Sequence, residues 1–141
     1  MKENYLITIE GKVAYGDEED TVSLTTLGSF YKRGDKYYIC YKESEATGFD
    51  GRTTTLKIWD NNVMMTRFMD GGSSNMLIER GATNICNYFT PAGPITLDIN
   101  GIDIQNNLTE KGGRLSLTYS LNSVGVLISE NTVNVTVKEI D

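Results

Sequence analysis

The segment RLSLTYSL, residues 114–121, alternates one residue at a time between apolar and polar side chains. Leu115, Leu117, Tyr119 and Leu121 form the apolar half of this alternation. Side chains of a β-strand point to opposite faces in turn, so a period of two predicts a strand with one face in a core. The spacing of three and four residues that marks a helix is nearly absent from the chain, and we therefore expect an all-β protein.

The same strand character extends outward from this segment in both directions. Predicted strands include residues 5–15, 21–32, 36–42, 53–60, 63–69, 95–106 and 126–139. Glycine, asparagine and aspartate separate these stretches, as at Arg33–Lys36 and Asn61-Asn62, and such residues favour tight hairpins. Gly11 lies inside the first strand, where an isolated glycine suggests a bulge.

Eight to ten strands joined by hairpins form a meander, and a meander of this length tends to close because closure removes exposed sheet edges. We therefore predict one domain over residues 1–141, a single antiparallel meander β-barrel. A sandwich of two sheets is the alternative. No segment offers the crossover helix that a parallel sheet requires.

The composition makes several classes of function unlikely for this chain. The formal net charge is −6, with 13 basic and 19 acidic residues, and no stripe of Lys and Arg is present to bind phosphates or an anionic membrane. The chain contains no histidine, the commonest general base and the usual zinc ligand. We therefore expect no nucleic-acid partner, no membrane partner, no metal and no cofactor, and a protein that is not an enzyme.

Cys40 and Cys86 are far apart and do not form a CxxC motif. The first residues lead directly into a polar–apolar alternation without the features of a secretion signal. We therefore expect two free thiols and a cytoplasmic protein. The oligomeric state is left open.

Several short motifs occur together in a recognisable order. They are a turn at Gly34 leading into Tyr37–Tyr41, then Glu45-x-Thr47-Gly48-x-x-Gly51, Thr53–Ile58, Arg67 and Thr90-Pro91-Ala92-Gly93, followed by Leu115–Tyr119 and Val133–Glu139. With these motifs the chain resembles the YwiB-like family, small bacterial proteins of unknown function, over residues 3–139. It departs from the family pattern at Ala92, where relatives commonly have an aromatic residue, and over 122–130.

This resemblance implies a calycin-like, lipocalin-like β-barrel in the bacterial cytoplasm. It implies no activity, because the family has no assigned active site. The calycin likeness suggests a ligand-binding cavity, which is an analogy at the level of the fold.

Arg67 and Glu79 are the first candidate site residues. With a loop at Asp70–Ser74, the two side chains would share one face of the sheet at diagonal positions. If that face is interior, Arg67 could bind a carboxylate or phosphate. The alternative is an ordinary ion pair with Glu79, in which case no ligand is required.

Tyr37, Tyr41 and Tyr119 are the second group of candidates. Each offers a flat apolar ring with a hydroxyl tip, which suits a small amphipathic ligand at the mouth of a barrel. Packing within the barrel would use the same residues.

The stretch Glu43–Arg52 is long for a hairpin connection, and long loops often carry function. Its Thr47-Gly48 and Asp50-Gly51 steps are equally typical of turns.

The sequence thus favours a barrel that binds a small anionic or amphipathic molecule. The alternative is a protein–protein interaction module with a side-chain-filled barrel and no ligand. An enzyme would have to use Tyr, Glu, Asp, Cys or Lys. A cavity with convergent polar groups would favour binding, whereas a filled barrel with an exposed apolar patch would favour interaction.

Overall fold

Ten antiparallel strands make up the computed structural model, which describes residues 4–44, 51–69, 72–90 and 93–140. The strands are β1 (Tyr5–Tyr15), β2 (Glu18–Arg33), β3 (Lys36–Lys42), β4 (Thr53–Trp59), β5 (Asn62–Met69), β6 (Gly72–Glu79), β7 (Thr83–Thr90), β8 (Gly93–Thr109), β9 (Gly112–Ser123) and β10 (Val126–Glu139). Some of the residues named in the sequence analysis lie outside the described residues. They are the Thr47-Gly48 step, Asp50, Pro91 and Ala92.

All ten strands belong to one sheet, in the order β6-β5-β4-β3-β2-β1-β10-β9-β8-β7. Consecutive strands pair as hairpins except β6 and β7, which are the two edges of the sheet. The first strand pairs with the last from Tyr5–Glu139 to Ala14–Glu130. The sheet curls until β6 contacts β7 and β8, which makes a nearly closed barrel. The prediction of an all-β antiparallel barrel with eight to ten strands is confirmed, and the sandwich alternative was wrong.

The barrel seam lies between β6 and β7, the two edges of the sheet. The amide of Gly81 donates to the carbonyl of Gly101 at 2.9 Å, and the amide of Gly101 donates to the carbonyl of Ala82 at 3.0 Å. A Cβ at Gly101 would clash with the carbonyl oxygen of Glu79. The absence of a side chain at Gly101 therefore lets β8 approach the end of β6 and hold the seam.

Alternate residues of every strand point into the barrel, and they fill one half of it with aliphatic side chains. Fully buried members of this core are Ile7, Ile39, Leu56, Ile58, Val63, Ile78, Ile99, Leu115, Leu117 and Val135. Phe30 extends this core, with its ring edge-to-face with Tyr5 at 5.3 Å and stacked on Tyr37 at 5.8 Å between centroids. Burial of such side chains contributes about 1.5–3 kcal/mol each and is the main source of stability.

Gly11 does not form the expected bulge, because it pairs in continuous register with Val22 on β2 and Val133 on β10. The irregularities lie instead between Gly101 and Asp103 on β8 and between Leu127 and Ser129 on β10. Gly11 points into the barrel and lines its interior, where a Cβ would lie only 3.0 Å from Val22 Cγ2.

Cys40 and Cys86 are both free, as predicted. Cys86 is buried and Cys40 is half-buried, and burial raises the pKa of the Cys86 thiol.

Gly101→Ala should destabilise the protein by about 1–3 kcal/mol, because the added methyl group forces the seam apart. Gly72→Ala is the matched control, since a Cβ there meets no atom within 4 Å. Urea denaturation followed by circular dichroism measures both. Equal stability of the two variants would contradict the role given to Gly101.

Candidate functional site

The half of the barrel opposite the filled core holds a pocket of about 440 Å³. It lies toward the end where β1–β2, β3–β4, β5–β6, β7–β8 and β9–β10 connect. Its apolar lining comprises Ile9, Val13, Val22, Met65, Met76, Ile95, Leu97, Leu121, Ile128 and Val133. Its polar lining comprises Lys12, Tyr41, Glu43, Arg67, Tyr88, Tyr119 and Asn131.

A polar row crosses four neighbouring strands at the pocket end of the barrel. The strand register places Tyr41 opposite Thr54, Thr54 opposite Arg67, and Arg67 opposite Ser74. The next inner row toward the core is Ile39, Leu56, Met65 and Met76, which is entirely apolar. Inner positions recur every second residue along a strand. The polar row therefore lies only two residues along each strand from the apolar row of the filled core.

Glu43 and Arg67 form a buried ion pair in this polar row. Arg67 donates from Nη2 and Nε to the same oxygen, Glu43 Oε2, at 2.9 and 3.1 Å. Thr54 Oγ1 donates to that oxygen at 3.1 Å, and the Glu43 amide donates to the Arg52 carbonyl at 2.8 Å. The side chains are only 2% and 13% exposed for Glu43 and Arg67, so the pair supplies polarity to the pocket without net charge.

Two tyrosines present hydroxyl groups beside this ion pair. Burial raises the pKa of Tyr119 to about 12, against a partial lowering by Arg67. Burial also raises the pKa of Tyr41, and the carboxylate of Glu43 adds to that rise. Both phenols are therefore protonated near neutral pH and can donate hydrogen bonds.

Comparison with known proteins agrees with this architecture. The sequence profile of the family described as a domain of unknown function, DUF1934, matches residues 7–135. The chain belongs to this family. An uncharacterised β-barrel protein, YwiB, of Bacillus subtilis (strain 168) is 27% identical over 123 residues, which cover 86% of this chain and 84% of that protein.

The crystal structure of the ywiB protein from Bacillus subtilis superposes with a TM-score of 0.83 at 21% identity. The match covers 97% of this chain and 92% of that one, so the two share the whole fold. The predicted YwiB-like resemblance and the barrel are thus confirmed for this DUF1934 member.

The structure brings together three of the five residues predicted for the site. Arg67, Tyr41 and Tyr119 line the pocket. Tyr37 instead packs against the core, where it stacks on Phe30.

Glu79 is also away from the pocket, and its predicted position on the face of Arg67 was wrong. The strand β5 continues to Met69 and β6 begins at Gly72, which shortens the connection expected over 70–74. Arg67 therefore pairs with Ser74, and Glu79 pairs with Asn62 on the outer face. A change of one residue in the register moves every side chain of a strand to the opposite face. Glu79 instead accepts a hydrogen bond from Asn84 Nδ2 at 3.4 Å.

Sequence reasoning missed Glu43 and Asn131 as pocket residues. Glu43 continues the inward alternation of Ile39 and Tyr41 just beyond the end of β3, which is a signal that could have been followed. Asn131 pairs with Tyr119 across β9 and β10 and donates to Ser129 Oγ at 3.0 Å. Asn131 likewise continues the inward alternation of Val133, Val135 and Val137, so the same signal could have been followed there.

Metal-ligand groups and membrane-spanning helices are not found in the described part of the chain. Within residues 4–44, 51–69, 72–90 and 93–140, no three acidic or cysteine side chains are grouped so that they could hold a metal ion. No helix in those ranges is long and apolar enough to span a bilayer.

A double-mutant cycle on Glu43→Gln and Arg67→Met should give a coupling energy of about 2–3 kcal/mol, because each single change leaves a buried group without its counter-charge. The exposed pair Lys12–Glu19, 3.3 Å apart, is the matched control. The cycle on Lys12→Met and Glu19→Gln should give less than about 1 kcal/mol. Similar coupling energies in the two cycles, measured by urea denaturation, would refute a special role for Glu43.

The raised pKa of Tyr119 predicts a loss of stability in alkali. The folded state holds this proton more tightly than the unfolded chain does, so its contribution is complete below about pH 10 and is lost as the pH rises through the folded-state pKa of about 12. The contribution amounts to about 2–3 kcal/mol. The decrease in unfolding free energy between about pH 9 and about pH 12 should be smaller in Tyr119→Phe than in the wild type. The same decrease in both proteins would show that Tyr119 is not the group responsible.

Proposed function

We propose that this protein binds a small amphipathic molecule inside its barrel. The observation that carries the proposal is the pocket, whose volume of about 440 Å³ lies in the range of small-molecule sites. Its lining is mostly apolar with a few polar groups that converge, which is the usual composition of such sites.

Small inner side chains on β1 and its two neighbouring strands leave space at this end of the barrel. On β1, Ile7 and Ile9 are buried, whereas Gly11 and Val13 follow them along the inner face. Gly11 has Val22 and Val133 as its neighbours on both sides, so three adjacent inner positions lack a bulky side chain. The space favours a ligand over an entirely side-chain-filled barrel.

The pairing of both lysine and arginine in the lining favours an uncharged amphipathic ligand over an anionic one. Lys12 is exposed and lies 3.3 Å from Glu19. Arg67, the cation expected to attract an anion, already lies 2.9 Å from the carboxylate of Glu43. A ligand carboxylate would introduce a second buried negative charge, and an uncompensated buried charge costs several kcal/mol.

The same residues support binding and not catalysis. A general base must be deprotonated near the working pH, whereas burial raises the pKa of both Tyr41 and Tyr119. The chain has no histidine to take that role. We therefore also propose that the protein is not an enzyme, that it acts in the cytoplasm, and that it has no nucleic-acid or membrane partner.

An interaction module is the second candidate, and one surface feature favours it. The turn between β9 and β10 exposes Val124, Val126 and Leu127, which are 94%, 66% and 54% exposed. Val124 also adopts a positive φ of 50°, which is unusual for a β-branched residue. Contiguous exposed apolar side chains are typical of protein contact surfaces.

The proposal is tested with N-phenyl-1-naphthylamine, an uncharged dye whose fluorescence rises in apolar surroundings. The wild type should enhance this fluorescence saturably. Leu121→Trp should weaken binding at least about tenfold, because the indole occupies the pocket that Leu121 lines. Ile85→Trp is the control, since Ile85 is 75% exposed on β7 and is outside the pocket.

If Leu121→Trp and Ile85→Trp bind the dye with the same affinity, the dye binds on the outer surface. That result would refute the pocket as the binding site and would favour the interaction module.

A further inference from the structure

The hydroxyl group of Tyr119 is a candidate hydrogen-bond donor to a ligand in the pocket. The residue is 7% exposed and lines the pocket. No hydrogen bond joins this hydroxyl to any of the described residues, although every fully buried side-chain nitrogen or oxygen among them has a partner. The hydroxyl therefore opens into the pocket, where an acceptor of a ligand can reach it.

The surroundings of Tyr119 are polar and buried, whereas the mouth of the pocket is apolar and exposed. Asn131, 7% exposed, lies directly opposite Tyr119 on the neighbouring strand. At the mouth, Ile95 and Ile128 are 42% and 41% exposed and still line the pocket. An amphipathic molecule matches this gradient when its polar group enters first and its hydrocarbon part faces the mouth.

The ion pair restricts the charge of that polar group. Arg67 and Glu43 carry opposite charges, and Glu43 accepts three hydrogen bonds on one oxygen, from Arg67 and Thr54. A ligand anion would be repelled by Glu43, and a ligand cation would be repelled by Arg67. An uncharged group avoids both costs.

We propose that the ligand has an uncharged, hydrogen-bond-accepting head, such as the carbonyl of an amide or ester, which accepts from the Tyr119 hydroxyl while its hydrocarbon chain lies along Ile95 and Ile128. This inference rests on the proposed binding function.

Three molecules with hydrocarbon chains of nearly equal length test the head group: octanamide, octanoate and octyltrimethylammonium. Each competes with N-phenyl-1-naphthylamine at about pH 8, where the carboxylic acid is ionised. Octanamide should displace the dye at a concentration at least about tenfold lower than either ion. Isothermal titration calorimetry measures the same affinities directly.

Tyr119→Phe tests the donor, because it removes the hydroxyl and keeps the ring. The affinity for octanamide, taken relative to the dye's affinity for the same variant, should fall about three- to tenfold, as expected for one hydrogen bond. Tyr37→Phe is the control, because Tyr37 packs against the core outside the pocket lining, and it should leave this ratio unchanged.

The outcomes separate this inference from the proposed function. Octanoate or octyltrimethylammonium binding as tightly as octanamide would overturn the uncharged head, and an unchanged ratio in Tyr119→Phe would overturn the donor. Either result leaves pocket binding intact. A wild type that binds neither the dye nor octanamide would overturn the proposed function, and this inference with it.

Discussion

The pairing of β1 with β10 is the interaction on which the rest of this structure depends. It joins the two ends of the chain in continuous antiparallel register from Tyr5 to Ala14. Without it the meander would be two separate sheets with additional exposed edges, and the inner faces would not oppose one another. The pocket needs this closure as well, because Gly11 on β1 and Asn131 on β10 contribute to one lining.

Within the closed barrel, the Glu43–Arg67 pair marks where the core ends and the pocket begins. A buried ion pair is often no more stabilising than apolar residues of the same volume, because both charges lose their hydration. The inner row beside it shows that apolar residues fit these strands, since Met65 and Met76 occupy the adjacent positions. The pair is therefore better explained by the polarity it gives to the pocket than by the stability of the fold.

The sequence was sufficient for the fold and only partly sufficient for the site. Alternation such as that of residues 114–121 predicts both the strand and its buried face. Hairpin turns predict which strands are neighbours in the sheet. Glu79 was misplaced because β5 and β6 are apolar on both faces, so that the register depended on a turn length. Glu43 was missed because its role arises from contact with Arg67, 24 residues away in sequence. Interactions over such distances depend on the register of three successive strands, and the register cannot be derived from composition.

The two halves of the barrel place different demands on the same strands. Unfilled space removes packing contacts from its lining, so the aliphatic half must provide most of the stability. A strand passes from one half to the other within a few residues. On β1, Ile7 belongs to the filled half, whereas Gly11 and Val13 line the pocket. Substitutions of the apolar residues in the pocket lining should therefore cost less stability than substitutions in the filled half. The fold is shared at 21% identity with the Bacillus subtilis structure, so many combinations of side chains satisfy the barrel. The apolar part of the pocket lining is consequently where side chains can change with the least cost to this architecture.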